Sequence, residues 1–131
     1  KSGALFGIYD ILAGPLAGEP DFPLPWSTLP ESSFLARHED VEEALKAAGF
    51  EILASEDRRE FALETFERAK NDNKPDIRGS DFSKKRQNLA AAVQSKLCGP
   101  WEFICKKVHF GGLLQVRTET DHVWIFISNN K

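Results

Sequence analysis

The sequence predicts an α/β fold in a single domain, residues 1–131, with about three strands, three helices and a C-terminal β-hairpin. Short apolar runs of strand length alternate along the chain with segments of helical periodicity. A chain of 131 residues is long enough to bury one core. Its 41% hydrophobic and 28% charged residues are the balance of a globular protein rather than a disordered one.

The first strand is predicted over residues 4–12, "ALFGIYDIL", an almost continuous apolar run. Such a run is typical of a strand that is buried on both faces. Gly14 and Pro15 end this strand. The next segment, residues 13–34, holds five of the seven prolines and therefore predicts an irregular loop.

The first helix is predicted in "HEDVEEALKAAGF", residues 38–50. Its acidic first turn suits the positive end of the helix dipole, and Gly49 suits the position after the helix. Its apolar residues recur at helical spacing and share one face: Val41, Ala44, Leu45 and Ala48.

A second strand and a second helix follow. Residues 50–57 alternate between apolar and polar, as in a strand, and residues 59–71 have the pattern of a helix. The predicted apolar face of this helix consists of Phe61, Thr65, Phe66 and Ala69.

The third helix is predicted over residues 80–97, with Asp81 as the N-cap. Gly99 and Pro100 are expected to end it, and residues 101–110 are expected to form a third strand. The predicted apolar stripe of the helix consists of Phe82, Leu89, Val93 and Leu97.

The last part of the chain predicts a β-hairpin. Residues 113–119 and 122–128 have strand composition and flank a polar turn. The second of these strands is apolar on both faces, so it is expected to be buried on both sides.

This order of elements resembles the C-terminal half of a class I S-adenosylmethionine-dependent methyltransferase. "KSGALFGIYDILAGP" resembles the fifth strand of that family. "FPLPWSTLPESSFLARHEDVEEALKAAGFEI" resembles the substrate lid of its small-molecule members, with the helix and sixth strand that follow. "DFSKKRQNLAAAVQSKLCGPWEFICKK" resembles its last helix and seventh strand. Residues 1–110 are thus similar to the C-terminal half of the family, and residues 111–131 are an appended hairpin.

The resemblance implies a partial Rossmann-like methyltransferase sheet of mixed strand direction. The strand at 101–109 should lie between the other two and run antiparallel to them. The implied cofactor is S-adenosylmethionine, which the family binds with a glycine-rich loop between a strand and a helix. "SGALFG", "RGSDF" and "FGGLL" lack that spacing and context, so this chain is not expected to bind the cofactor alone.

The implied function is therefore the substrate and lid half of a methyltransferase, inactive by itself. A missing N-terminal sequence or a partner chain would supply the cofactor-binding half, and the start at Lys1 rather than Met favours a piece of a longer protein. The alternative is a stand-alone, non-catalytic module, derived from a methyltransferase, that binds a small molecule or dimerises. The strand at 4–12 would lack its family neighbour, which predicts that the hairpin covers its edge, most simply in a homodimer.

The residues expected to contact the small-molecule substrate lie in and beside the lid. A loop stiffened by prolines can hold aromatic rings against an apolar or cationic substrate. The alternative is that the loop aromatics anchor the loop to the core, that Tyr9 packs, that Asp10 caps a turn and that His38 lies on the surface. No catalytic residue is assigned. The candidate substrate-binding residues are Tyr9, Asp10, Phe22, Trp26, Phe34 and His38.

Composition argues against several other classes of protein. The net charge of −3 does not suit a nucleic-acid partner, and no apolar run reaches the roughly 18 residues of a membrane span. Cys98 and Cys105 form no C-x-x-C pair and are expected to pack as small hydrophobes in a reducing, cytoplasmic environment. His109 and His122 are too isolated to suggest metal ligands.

Overall fold

The sheet has its last strand in the middle. A computed structural model describes residues 3–71 and 79–108. Within them, β1 (Leu5–Ala13), β2 (Phe50–Asp57) and β3 (Cys98–Lys107) form one sheet in the order β1-β3-β2. β3 runs antiparallel to both neighbours, which confirms the arrangement expected for the strand at 101–109.

The direction of the strands differs in one respect from the expected mixed sheet. Both hydrogen-bonded pairs of the described sheet are antiparallel. β1 and β2 run in the same direction, but β3 separates them, so they form no parallel pair with each other. The hairpin expected at residues 111–131 lies outside the described residues.

In the described residues, three helices flank the sheet: α1 (His38–Ala47), α2 (Arg59–Asn71) and α3 (Ser80–Gln94). The α/β class and the three helices are as the sequence predicted. A short 3-10 turn, Pro30–Ser32, interrupts the loop before α1. In the part of the chain that the structure describes, no helix is both long and apolar enough to cross a membrane.

The ends of α3 differ from the expected ones. Gly79, with φ 90°, occupies the N-cap position, and Asp81 lies in the first turn instead. At the other end the helix stops at Gln94 because Lys96 adopts φ 59° and turns the chain. Gly99 and Pro100, expected to end the helix, belong to β3.

Pro100 fits into a central strand because of where β2 ends. The last residue of β2 paired with β3 is Asp57, opposite Trp101, so Pro100 lies one residue beyond that pairing. Its carbonyl accepts a hydrogen bond from the N–H of Arg58 at 2.9 Å. The N–H that proline lacks would have faced the same side, where no strand residue would have accepted it.

Two hydrophobic clusters cover the two faces of the sheet. On one face α1 packs against all three strands, and α2 and α3 cover one end of the other face. The first cluster comprises Phe6, Ile8, Leu12, Val41, Leu45, Phe103 and Cys105. The second is built around Ala92, Val93 and Cys98.

The expectation that β1 is buried on both faces is wrong. Its residues alternate, and Leu5 and Tyr9 are 63% and 54% exposed. The reason is that α2 and α3 reach Ile11 and Cys98 but leave the start of β1 uncovered.

The apolar face of α2 also differs from the expected one. Ala62 is buried and Phe66 packs against the second cluster, whereas Phe61 is 51% exposed. The guanidinium carbon of Arg58 lies 5.0 Å from the Phe61 ring centroid, which gives that ring a partner at the surface. Thr65 uses its hydroxyl to donate to the Phe61 carbonyl at 2.8 Å.

Both cysteines are free and fully buried, as expected for small hydrophobic residues. Burial raises the pKa of the Cys98 thiol to about 11, and the charge of Arg59 opposes this shift.

Candidate functional site

A cleft of about 770 Å³ opens at the carboxyl ends of β1 and β2. Residues 13–15 at the end of β1 and residues 37–39 at the start of α1 form one side. Asp57 and the first residues of α2 form the other side, and Lys96 and Trp101 complete the lining. In open α/β sheets, this edge is where ligands bind.

The cleft exists because both strands turn directly into irregular or helical backbone at this edge. The N–H of Ala13 donates to the carbonyl of Ala36 at 2.9 Å, which brings the chain before α1 beside the end of β1. Asp57 Oδ1 accepts a hydrogen bond from the N–H of Arg59 at 2.8 Å, which turns β2 into α2.

His38 begins α1, and its ring packs on aromatic side chains of β3. The ring centroid lies 4.1 Å from that of Trp101 and 5.4 Å from that of Phe103. Its Nε2 lies 2.7 Å from Ser55 Oγ and 3.5 Å from Glu42 Oε1. Within the described residues, Nδ1 has no hydrogen-bond partner. An imidazole fixed in this way can accept or donate a proton at Nδ1.

Arg59 is largely buried beside the cleft, with 13% of its side chain exposed. Its Nη1 donates to the Val93 carbonyl at 3.2 Å, and its Nε lies 3.9 Å from Asp57 Oδ2. A Cβ on Gly99 would come within 2.5 Å of Arg59 Nη2. The glycine of β3 therefore makes room for a guanidinium that joins the start of α2 to the end of α3.

The charged groups of the cleft differ in how far they are already paired. Arg37 donates two hydrogen bonds to Asp40, at 2.9 and 3.0 Å, and these hold the pKa of the Asp40 carboxyl below its usual value. Arg59 contacts the Val93 carbonyl and the Asp57 carboxylate. Lys96 lines the same cleft and forms no ion pair with any residue that the structure describes.

Of the candidate substrate-binding residues, only His38 lines the cleft. Tyr9 and Asp10 are neighbours in β1, so their side chains point to opposite faces of the sheet. Tyr9 lies opposite Glu102, and burial raises the pKa of its phenol while the charge of Arg58 opposes this. Asp10 accepts a hydrogen bond from the N–H of Ile11 at 2.8 Å. Burial raises the pKa of the Asp10 carboxyl, and that hydrogen bond opposes the rise.

The loop between β1 and α1 contains a turn formed by Leu24 and Ser27. Leu24 is 0% exposed, and the two residues exchange backbone hydrogen bonds of 2.7 and 3.3 Å. Asn88, buried on α3, donates from Nδ2 to the Pro23 carbonyl at 3.0 Å. The loop is thus held to the body of the domain by the buried Leu24, by the hydrogen bond from Asn88, and by Leu35 and Ala36, which pack against the two hydrophobic clusters.

The loop aromatics are not its main anchors. Phe22 is half-buried and precedes Pro23 through a cis peptide bond. Trp26 donates from Nε1 to Ser33 Oγ at 3.0 Å but is 38% exposed, and Phe34 is 67% exposed. The exposure of Phe34 argues against an anchoring role for that ring, whereas Trp26 is mostly covered and bonded to Ser33 of the same loop. Substrate binding by the three rings stays a prediction, since none of them lines the cleft.

At the glycines beside the cleft, the space that a side chain would fill is taken up by other atoms of the protein. A Cβ on Gly14 would collide with the Lys96 carbonyl oxygen, and one on Gly99 would meet Arg59. A nucleotide-type cofactor loop uses its glycines to let the ligand approach the backbone. At Gly14 and Gly99 it is protein atoms that approach the backbone, so these two glycines do not form a binding loop for S-adenosylmethionine. Over residues 3–71 and 79–108, no group of three or more His, Cys, Asp or Glu side chains could hold a metal ion.

Sequence reasoning missed Arg59, Lys96 and Trp101 as lining residues. The charged run at residues 57–59 was a usable signal, because it lies where a predicted strand passes into a predicted helix. Nothing in the sequence marks Lys96, since a lysine near a helix C-terminus also suits the helix dipole.

Comparisons with known proteins give structural neighbours only, because no family model and no curated protein sequence matches the chain. The cyclase SpnF is 25% identical with a TM-score of 0.45, over 82% of this chain and 41% of its own. A phosphoethanolamine N-methyltransferase 2 of Haemonchus contortus, solved with phosphomonomethylethanolamine and S-adenosylhomocysteine, is 20% identical with a TM-score of 0.49. That match covers 83% of this chain and 27% of the enzyme. The chain therefore spans less than half the length of either structure.

Proposed function

We propose that this chain is the substrate and lid half of an S-adenosylmethionine-dependent methyltransferase. The observation that carries the proposal is the position of β3, which is last of the described strands but lies between β1 and β2, antiparallel to both. The sequence resemblance to the methyltransferase family predicts this connection. The order of the strands in the sheet and the order of the elements along the chain thus support the same function.

The position of the cleft also supports this function. It opens beyond the carboxyl ends of β1 and β2, and residues 13–15, which begin the proline-rich loop, line it. A loop that leaves from this edge can cover a substrate bound there. Its anchoring through Leu24 and Asn88 limits the conformational entropy that would be lost on binding.

The chemistry asked of the side chains is modest. When bound, S-adenosylmethionine supplies an activated methyl group, and the protein contributes mainly by holding the nucleophile in position. His38 and Trp101 both line the cleft, with ring centroids 4.1 Å apart and planes tilted by 41°, so a substrate would meet aromatic surface there. His38 Nδ1 can take a proton from a nucleophile that carries one. The cofactor-binding half is supplied by other sequence, either upstream of Lys1 or in a partner chain.

The first test is the coding sequence that precedes Lys1. We expect it to encode a glycine-rich turn between a strand and a helix. In calorimetry, the longer protein should bind S-adenosylmethionine and residues 1–131 alone should not. Tight binding to the short chain would refute the division into halves. A full-length protein that neither binds the cofactor nor transfers its methyl group would overturn the methyltransferase proposal itself.

A further inference from the structure

Lys96 occupies a backbone position that favours glycine. Its φ of 59° lies in the left-handed region, where a Cβ is disfavoured. The N–H of Lys96 donates to the Val93 carbonyl at 3.1 Å, and that of Leu97 donates to the Ala92 carbonyl at 3.0 Å. A glycine most often completes this pattern at the end of a helix. The lysine side chain is therefore present despite a cost in stability.

The backbone of Lys96 is fixed at the edge of the cleft. Its carbonyl accepts a hydrogen bond from the N–H of Leu16 at 3.3 Å, and the close approach of Gly14 holds the same carbonyl from another side. The side chain therefore leaves the backbone from a fixed point among the residues that line the cleft.

Unlike the two arginines of the cleft, Lys96 forms no ion pair with any described residue. Arg37 is bound by Asp40, and the guanidinium of Arg59 is engaged by the Val93 carbonyl. Lys96 lines a cleft large enough for a small molecule, and an ammonium without a described partner at such a cleft suits a ligand that carries negative charge.

We propose that Lys96 determines specificity by binding an anionic group, a phosphate or a carboxylate, of the small molecule that enters the cleft. This inference rests on the proposed function and gives it a substrate class. Glu39 and Glu60 line the same cleft. Their negative charge disfavours a second anionic group near them, so the ligand presents its anionic group to Lys96.

The test is a titration of the ¹⁵N-labelled chain, followed by NMR, with inorganic phosphate and with acetate separately at constant ionic strength. We expect saturable shifts of cleft amides with at least one probe, and the effective probe identifies the anionic group. Lys96→Gln should weaken that binding about tenfold or more, the loss expected for a charge-assisted hydrogen bond. Lys46→Gln, which alters an exposed lysine of α1 that pairs with Glu42 outside the cleft, should bind as the unaltered chain does.

A second variant separates a binding role from a structural one. Lys96→Gly should raise the melting temperature, because glycine adopts the backbone conformation without strain, and should weaken probe binding as Lys96→Gln does. Equal affinity in the unaltered chain and both Lys96 variants would overturn the proposal, as would the absence of saturable shifts with either anion. The titration needs no methyl donor, so its failure is distinguishable from failure of the methyltransferase proposal.

Discussion

A single glycine at the end of β1 lets two distant segments touch. The N–H of Gly14 donates to the Leu97 carbonyl at 2.8 Å, and a Cβ on Gly14 would collide with the Lys96 carbonyl. The atoms that such a Cβ would meet belong to the backbone of Lys96 and Leu97, not to the end of a flexible side chain. It could yield only if the chain after α3 moved, and one edge of the cleft would move with it.

Gly14→Ala is therefore expected to lower the free energy of unfolding by about 3 kcal/mol, the upper part of the range for overpacking. Urea denaturation followed by circular dichroism measures this change. The matched control is Gly7→Ala, where the nearest atom to the new Cβ is Ile104 Cδ1 at 3.8 Å, an ordinary contact. Equal stability of the two variants would contradict the close approach at Gly14.

Cys98 makes the stability of the fold depend on pH. Burial raises the pKa of its thiol from 9.0 to about 11, so the folded chain holds this proton more tightly than the unfolded chain does. The contribution of this group to stability is complete below pH 9.0 and is lost as the pH rises towards 11.

We expect Cys98→Ala to lack this loss. The stability difference between the unaltered chain and the variant should be largest at neutral pH and should shrink as the pH approaches 11. Urea denaturation of both proteins across that range measures the difference, and other groups that titrate there cancel in the subtraction. A pH-independent difference would show that the thiol keeps its proton equally well in both states.

At the scale of elements, the loop before α1 owes its position to an aliphatic side chain. Leu24 is 0% exposed, whereas Leu29 of the same loop is 53% exposed. The buried residue contributes to stability by removing apolar surface from water, and the exposed one contributes little of that kind.

Leu24→Ala should destabilise the domain by about 3 kcal/mol, within the range for buried leucines, and Leu29→Ala by less than about 0.5 kcal/mol. Thermal unfolding of the two variants beside the unaltered chain provides the comparison. If the two substitutions cost the same, Leu24 is not the anchor of the loop.

Periodicity in the sequence predicted the elements in which the spacing of apolar residues alone indicates which face is buried. The bounds of β2 and α2 agree with the predicted 50–57 and 59–71, and α1 buries Val41 and Leu45 as its spacing indicated. Pro100 was misinterpreted because a proline is acceptable in a strand where the neighbouring strand has ended. The sequence around Pro100 does not indicate where the neighbouring strand β2 ends. Only the register of β2 against β3 shows that end.

The candidate site was predictable only in part, for a similar reason. His38 was a candidate because it lies at the far end of the segment that resembles the substrate lid. Arg59 lies at the start of α2, Lys96 between α3 and β3, and Trp101 within β3, and only the strand order brings them to one cleft. No spacing along the sequence predicts such a convergence.

At the scale of the whole molecule, β1 is an edge strand of the described sheet and is exposed on one face at its start. An apolar strand with an open edge favours association with another strand. We propose that residues 111–131 cover this edge, either within the chain or between two copies in a homodimer. Those residues lie outside the described part of the structure.

Deletion of residues 111–131 tests this proposal. If they cover the edge, the shortened chain should lose solubility or change its molar mass, because apolar surface becomes available for association. Light scattering and measurement of the soluble fraction give both quantities. A shortened chain that remains soluble with unchanged molar mass would exclude residues 111–131 as the cover.

The central position of β3 also constrains how the chain can be made. Neither β1 nor β2 pairs with the other, and β1 begins its ladder with Leu5 opposite Lys106. On a ribosome, β1 would therefore leave the exit tunnel before β3, the strand that joins it to β2, has been translated. Until then α1 can form its turns, but β1 lacks the strand that it pairs with in the described sheet. Synthesis of this protein thus includes an interval in which β1 exists without β3, its partner in the folded domain.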